Sequence, residues 1–274
     1  MSVTINQVRE FKRKGKKFAM LTAYDYATAR LADSAGVPLI LVGDSLGMVT
    51  LGYESTIPVT MEIMLHHTRA VACGAKNAMV IGDMPFLSYH LSVEQALTNA
   101  GRFIQEANAH AVKLEGGLNV ADKVARIVAC GIPVIGHIGL TPQSVNQLGG
   151  FKAQGKTVES ARRLLKDAKA LAEAGACAVV LETMPSELAQ LITQQIDIPT
   201  IGIGAGPFCD GQVQVISDVL GMSEFTPRHA KVYARLGELT VQAVKEYVTE
   251  VTTGTFPTAK ESLTLDSTVL AELT

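Results

Sequence analysis

Residues 38–44, PLILVGD, form an apolar run that stops on a glycine and an aspartate, and residues 78–83, AMVIGD, end on the same pair. A short segment that is apolar at nearly every position and bounded by turn-formers reads as a strand buried on both faces, as in a parallel sheet clad in helices. Working outward, KFAMLTA (17–23), HAVKLE (110–115), PVIGHIG (133–139), CAVVLE (177–182), PTIGIG (199–204) and QVQVISD (212–218) are runs of the same kind, which makes eight candidate strands. Between most of them lie segments with apolar side chains at helical spacing, such as DYATARLADSAG (25–36), TMEIMLHHTRAVACG (60–74), SVEQALTNAGRFIQEAN (92–108) and VESARRLLKDAKALAEAG (158–175). Several close on glycine, at Gly36, Gly74, Gly131 and Gly175, which suits a left-handed helix stop before the next strand. Strand and helix alternating eight times favour closure into an α/β (β/α)8 barrel. The alternative is an open doubly wound sheet, because GAGPFCDGQ (204–212) leaves little room for a seventh helix. The expected division is one barrel domain over residues 1–254 and a C-terminal extension over 255–274.

A chain of 274 residues with 47% apolar positions can bury one sizeable core. The net charge is −2, and its Lys and Arg are scattered apart from a short cluster at residues 9–17, so no footprint for nucleic acid is expected. Four separated cysteines without a C-x-x-C pair read as reduced, mostly buried thiols and point to the cytoplasm. No apolar stretch is long enough to span a bilayer or serve as a signal-peptide core, so no membrane partner is expected.

In such a barrel the reactive groups occupy the C-terminal rim of the strands. Asp44, Asp83, Glu115, His137 and Glu182 stand at the ends of five consecutive candidate strands. A lone acid there is as readily a helix cap or turn former. Several brought together repel one another unless protons or a cation intervene, and an all-oxygen set suits a hard cation such as Mg²⁺. Lys113 shares a strand with Glu115, two residues apart, so both face inward; it either neutralises Glu115 or holds the carboxylate of an anionic substrate. His137 is either a satisfied core imidazole or a group that polarises or orders the site. His66 and His67 read as surface or packing residues. GDSLG (43–47) matches a serine-hydrolase elbow, but the following MVTLGYESTIPVT reads as a loop rather than the helix an elbow requires. Ser45 fits better as a hydrogen-bond donor to a bound acid. GIGAG (202–206) reads as close backbone packing rather than a phosphate loop.

The segments VGDSLGMVTLGYESTIPVTMEIMLHHTRAV, IGDMPFLSY, VKLEGG, PVIGHIGLTPQSVNQLGGFKAQGK, LETMP and IGIGAGPFCDGQVQV occur in this order. Together they make the chain resemble the ketopantoate (3-methyl-2-oxobutanoate) hydroxymethyltransferase family from about Ile5 to Phe256. The resemblance implies a cytoplasmic transferase of pantothenate biosynthesis. Such an enzyme moves a hydroxymethyl unit from 5,10-methylenetetrahydrofolate, the cosubstrate, to 3-methyl-2-oxobutanoate and gives 2-dehydropantoate. It also implies one Mg²⁺ per subunit, with Asp44 and Asp83 as metal-associated aspartates and Glu115 as the third acid near the metal. Ser45, Lys113, Asp44 and Asp83 match substrate contacts, with His137 added here as a further candidate, and Glu182 matches the proton acceptor. The family forms large homo-oligomers, usually decamers. The readings set against it are a Mg²⁺-dependent lyase of the phosphoenolpyruvate-utilising barrel type, a serine hydrolase, and a barrel acting as a keto-acid sensor.

Overall fold

The computed structural model describes residues 2–223 and 225–273; Met1, Glu224 and Thr274 lie outside the described residues. Eight strands, β1 (Phe18–Thr22), β2 (Leu39–Val42), β3 (Met79–Asp83), β4 (Ala111–Glu115), β5 (Val134–Gly139), β6 (Ala178–Glu182), β7 (Thr200–Ile203) and β8 (Gly211–Gln214), form a closed barrel in sequence order. All neighbours pair in parallel, and β8 returns to β1 with Met20 opposite Val213. Closure excludes the open sheet. The helices in chain order are α1 (Ile5–Arg13), α2 (Tyr26–Ser34), α3 (Leu46–Val49), α4 (Met61–Gly74), α5 (Val93–Ala107), α6 (Ala121–Ala129), α7 (Val145–Leu148), α8 (Val158–Glu173), α9 (Ser186–Gln195), α10 (Ile216–Val219), α11 (Leu236–Thr253) and α12 (Ser267–Leu273). Side chains with N-terminal capping hydrogen bonds start several of them: Asp25 for α2, Thr60 for α4, Ser92 for α5 and Thr157 for α8.

Strand alternation divides the core in two. Outward residues such as Ile40, Val42, Val80, Val112, Leu114, Val179 and Leu181 meet the helices. Inward residues such as Phe18, Met20, Leu39, Leu41, Met79, Ile81, Ile135, Val180 and Ile201 fill the barrel. Helix α1 closes the N-terminal end: Val8 joins the interior cluster, with Ile5 and Phe11 packed against it. Lys12 Nζ donates to Asp210 Oδ2 at 3.0 Å and to the Thr193 carbonyl at 2.7 Å, which ties α1 to the β7–β8 side.

Several local readings need correction. The eighth candidate strand stops at Gln214, and Ile216–Val219 is a helical turn pinned to β1 by the Ile216 N–H donating to Thr22 Oγ1 at 3.0 Å. The stretch after Ser45, expected as loop, begins with the turn α3. Gly36, Gly131 and Gly175 take positive φ, whereas Gly74 ends α4 in ordinary helical geometry. Cys177 and Cys209 are buried as expected, but Cys73 and Cys130 are exposed near the ends of α4 and α6.

Candidate active site

Period-two alternation carries each interior column from apolar packing into chemistry. Met79 and Ile81 face inward, and two residues further so does Asp83; Ala111 is followed by Lys113 and Glu115, Ile135 by His137, and Val180 by Glu182. Register then chooses partners. Asp83 lies opposite Lys113 across β3–β4, Glu115 opposite His137 across β4–β5, and Glu182 opposite Gly139, two residues beyond His137. The contacts follow: Lys113 Nζ to Asp83 Oδ1 at 2.7 Å, His137 Nδ1 to Glu115 Oε1 at 3.4 Å, and His137 Nε2 to Glu182 Oε2 at 3.1 Å. Lys113 thus pairs with Asp83 rather than with Glu115, its neighbour along the strand.

Asp44 follows β2, and its backbone N–H donates to Asp83 Oδ2 at 3.2 Å. Ser45, beside it, shares a 2.9 Å hydrogen bond with the Tyr24 hydroxyl. Ser45 sits in the ordinary right-handed helical region (φ −52°, ψ −20°), not the strained turn of a hydrolase elbow, and its hydroxyl faces a tyrosine instead of a histidine. His66 and His67 lie on α4 outside this group; His67 Nδ1 contacts the Tyr24 carbonyl at 2.6 Å. In the GIGAG segment, a Cβ added to Gly202 would stand 3.0 Å from Cys209 Sγ, in keeping with close packing.

Two further residues complete the site. The Gln143 side chain donates to Asp44 Oδ2 at 2.8 Å and to the Met84 carbonyl at 2.9 Å, while its backbone N–H donates to Glu115 Oε2 at 3.0 Å. Tyr89 OH donates to Gln143 Oε1 at 2.7 Å and accepts from the Glu115 N–H at 3.1 Å. Both are buried, on segments after β5 and β3. Proximity to the strand ends was their only sequence signal.

Asp44, Asp83, Lys113, Glu115 and His137 are each less than 5% exposed, so electrostatics here are strong. Burial, then the Asp83 and Glu115 charges, pushes the Asp44 carboxyl well above the usual carboxylate range. Burial also raises Asp83, against the pull of Lys113. Burial opposes the Lys113 ammonium, but Asp83, Glu115 and Asp44 outweigh it and raise its pKa. Burial and Lys113 disfavour the His137 imidazolium, yet Glu115 and Glu182 raise it to about 9. Burial pushes Glu115 upward, while His137 and Lys113 prevail and hold it below its ordinary value.

These groups line a cavity of about 410 Å³ at the C-terminal mouth of the barrel, within the size range of small-molecule sites. Asp83 Oδ1, Glu115 Oε1 and His137 Nε2 are buried there without a well-angled hydrogen bond among the described residues. Each keeps an ionic contact, with Lys113, His137 and Glu182 in turn. No group of three His, Cys, Asp or Glu side chains among the described residues stands ready to hold a metal. Mg²⁺, however, uses one or two carboxylates and completes its shell with water and substrate oxygens. The adjacent Asp44 and Asp83, the latter with an Oδ1 whose one contact among the described residues is the Lys113 ion pair, fit that requirement.

The sequence profile of the ketopantoate hydroxymethyltransferase family matches residues 2–259. The chain belongs to this family. A 3-methyl-2-oxobutanoate hydroxymethyltransferase of Dehalococcoides mccartyi is 67% identical over 274 residues, 100% of this chain and 98% of the relative. The protein of that name from Syntrophus aciditrophicus is 61% identical over 93% of this chain and 94% of its own length. Among solved structures, a phosphonopyruvate hydrolase complexed with oxalate and Mg²⁺ superposes with a TM-score of 0.60 at 15% identity, covering 94% of this chain and 93% of that one. A 2,3-dimethylmalate lyase of the PEP mutase/isocitrate lyase superfamily gives 0.58 at 17% identity, covering 100% and 99%. These structural likenesses show that this chain has the same barrel fold as those two proteins. No helix among the described residues is long and apolar enough to cross a membrane.

Proposed function

We propose that this protein transfers a hydroxymethyl unit from 5,10-methylenetetrahydrofolate to 3-methyl-2-oxobutanoate, giving 2-dehydropantoate for pantothenate biosynthesis. The observation that carries the reading is Glu182, held by His137 at 3.1 Å in the lining of a cavity that Asp44, Asp83 and Lys113 also line. A base and an oxygen-binding pole face one space. Asp44 and Asp83 would hold Mg²⁺, one per subunit, with Glu115 the third acid near it. When bound, the cation supplies Lewis-acid stabilisation for negative charge developing on the substrate's keto oxygen.

The chain's own groups do the rest. The Lys113 ammonium and Ser45 hydroxyl bind and orient the substrate carboxylate, and fixing a small acid this way contributes several kcal/mol to barrier lowering. Glu182 removes the proton from C3, and the carbon so activated bonds to the folate methylene carbon as the C–N bonds holding that carbon break; water supplies the hydroxyl, and the two folate nitrogens take the C3 proton and one proton of the water, which releases tetrahydrofolate. His137 keeps the Glu182 carboxylate aimed, because its other nitrogen is fixed by Glu115. The proposal includes a homo-oligomer, a decamer as in the family, working in the cytoplasm, with the extension over 255–274 separate from the catalytic barrel.

Deuterium exchange at C3 of 3-methyl-2-oxobutanoate tests the reading. Wild-type protein with Mg²⁺ exchanges the hydrogen; Glu182→Gln binds the keto acid and loses exchange by about 100-fold or more, the usual scale for a general base. Undiminished exchange in that variant removes Glu182 from the role.

A further inference from the structure

A five-carbon keto acid fills only part of the cavity. The acids on β3 to β6 account for one side; the other side, between β8 and β1, carries a second polar set with no part in the chemistry above. Asp218 lies on α10, fixed by the bond from Ile216 to Thr22, and is only 6% exposed. Its Oδ1 accepts from Ser223 Oγ at 2.8 Å, and no described residue donates to Oδ2. Gln214 Oε1, at the end of β8, and Thr56 Oγ1, on the segment between α3 and α4, are buried in the lining of the same cavity without hydrogen-bond partners among the described residues. Thr56 is 2% exposed. Met48 and Phe225, 39% and 76% exposed, flank the mouth with apolar surface. Acceptors at the bottom and apolar faces above call for a flat heterocycle with N–H donors along one edge.

We propose that the β8–β1 side of the cavity binds the bicyclic ring of the folate donor, with Asp218 accepting from its 2-amino group and adjacent ring N–H. This rests on the function proposed above. A carboxylate meets two neighbouring N–H donors in a bidentate pair, stronger and more directional than a neutral contact. Gln214 Oε1 supplies a further acceptor for a ring N–H. Anchoring that edge at Asp218 turns the opposite end of the bicycle, which carries the reactive methylene, toward the keto acid and Glu182. The donor's anionic glutamate tail is repelled by so acidic a cavity and extends outward past Met48 and Phe225.

Calorimetric titration with tetrahydrofolate, in the presence of Mg²⁺ and 3-methyl-2-oxobutanoate, reads the site directly. Asp218→Asn keeps the size of the side chain but turns a donor toward the ligand's donors. It should weaken tetrahydrofolate binding by about tenfold or more, while folate-independent C3 exchange stays within about twofold of wild type. Equal affinity in the two proteins overturns the assignment. Should the variant fail to fold, the ligand is altered instead. A 2-desamino tetrahydrofolate should bind wild type at least about tenfold more weakly than the parent, and equal binding overturns the proposal. Absence of C3 exchange in the wild type would instead overturn the function reading, a separate result from intact exchange with unaltered folate affinity in Asp218→Asn.

Discussion

Asp83 has two jobs that pull against each other. One oxygen accepts from the Asp44 backbone and the other pairs with Lys113 at 2.7 Å without a well-angled hydrogen bond, so a bound cation would compete with the lysine for it. Asp83→Ala leaves the Lys113 ammonium buried beside fewer carboxylates and takes one anion from the proposed cation-binding pair. Removing one partner of a buried ion pair costs about 3–5 kcal/mol, so the urea midpoint should fall accordingly. Mg²⁺ affinity measured by calorimetry should drop at least about tenfold, since a hard dication loses an anionic ligand; unchanged affinity would remove Asp83 from the metal role. Asp83, Lys113, Glu115 and Glu182 were legible because they continue the period of strands whose earlier inward residues are apolar; Asp44 is out of phase with Leu39 and Leu41 and was legible only from its place just past the strand end. Gln143 and Tyr89 were not: both lie on connecting segments, where no period tells the direction of a side chain. That Asp83 pairs with Lys113 was not legible for a related reason, since pairing across strands depends on a register that one strand alone does not contain.

At the scale of elements, Gly82 and Asp33 show how the strands are seated. A Cβ on Gly82 would stand 2.3 Å from the Phe103 ring of α5, so the glycine before Asp83 exists for helix packing, while the aspartate faces the opposite side. The Gly-Asp pair is thus two messages on adjacent faces. Asp33 in α2 accepts from the Asn77 N–H at 2.9 Å, the Ala78 N–H at 2.7 Å and Asn77 Nδ2 at 2.9 Å, fixing the entry to β3. Burial works against its charge, but the Ala78 and Asn77 donors prevail and hold its pKa below the ordinary value. A lowered folded pKa means the stabilisation is complete above the unfolded value, about 3.9, and fades as pH falls through the folded one. Asp33→Ala should therefore lose about 2–3 kcal/mol at pH 7 by urea denaturation, with the gap to wild type narrowing below about pH 4. A gap independent of pH would show that the charge is not what matters. The eight strands and most helices were readable from apolar runs and caps. The end of β8 was not, because QVQVISD stays apolar at alternate places while Ile216 is drawn into a helical turn by Thr22, a partner 194 residues away.

For the whole molecule, closure and plugging decide the form of the cavity. The seventh unit lacks a helix, and the barrel still closes, because β8 needs only Phe18 to Leu21 of β1 as its partner and Asp210 binds Thr200 and Lys12 together beneath it. The short GAGPFCDGQ segment therefore did not signal an open sheet. With α1 seated under the strands and aliphatic side chains packed above it, the cavity ends in a floor. A cavity floored at one end imposes a queue on ligands that share it. Under the proposed function, the small keto acid would enter first, the bulky donor would follow and block the exit, and spent tetrahydrofolate would leave before the new hydroxy acid. In steady-state kinetics, an unreactive folate analogue should be competitive against the donor and uncompetitive against 3-methyl-2-oxobutanoate. A mixed pattern against the keto acid would mean that traffic passes in either order.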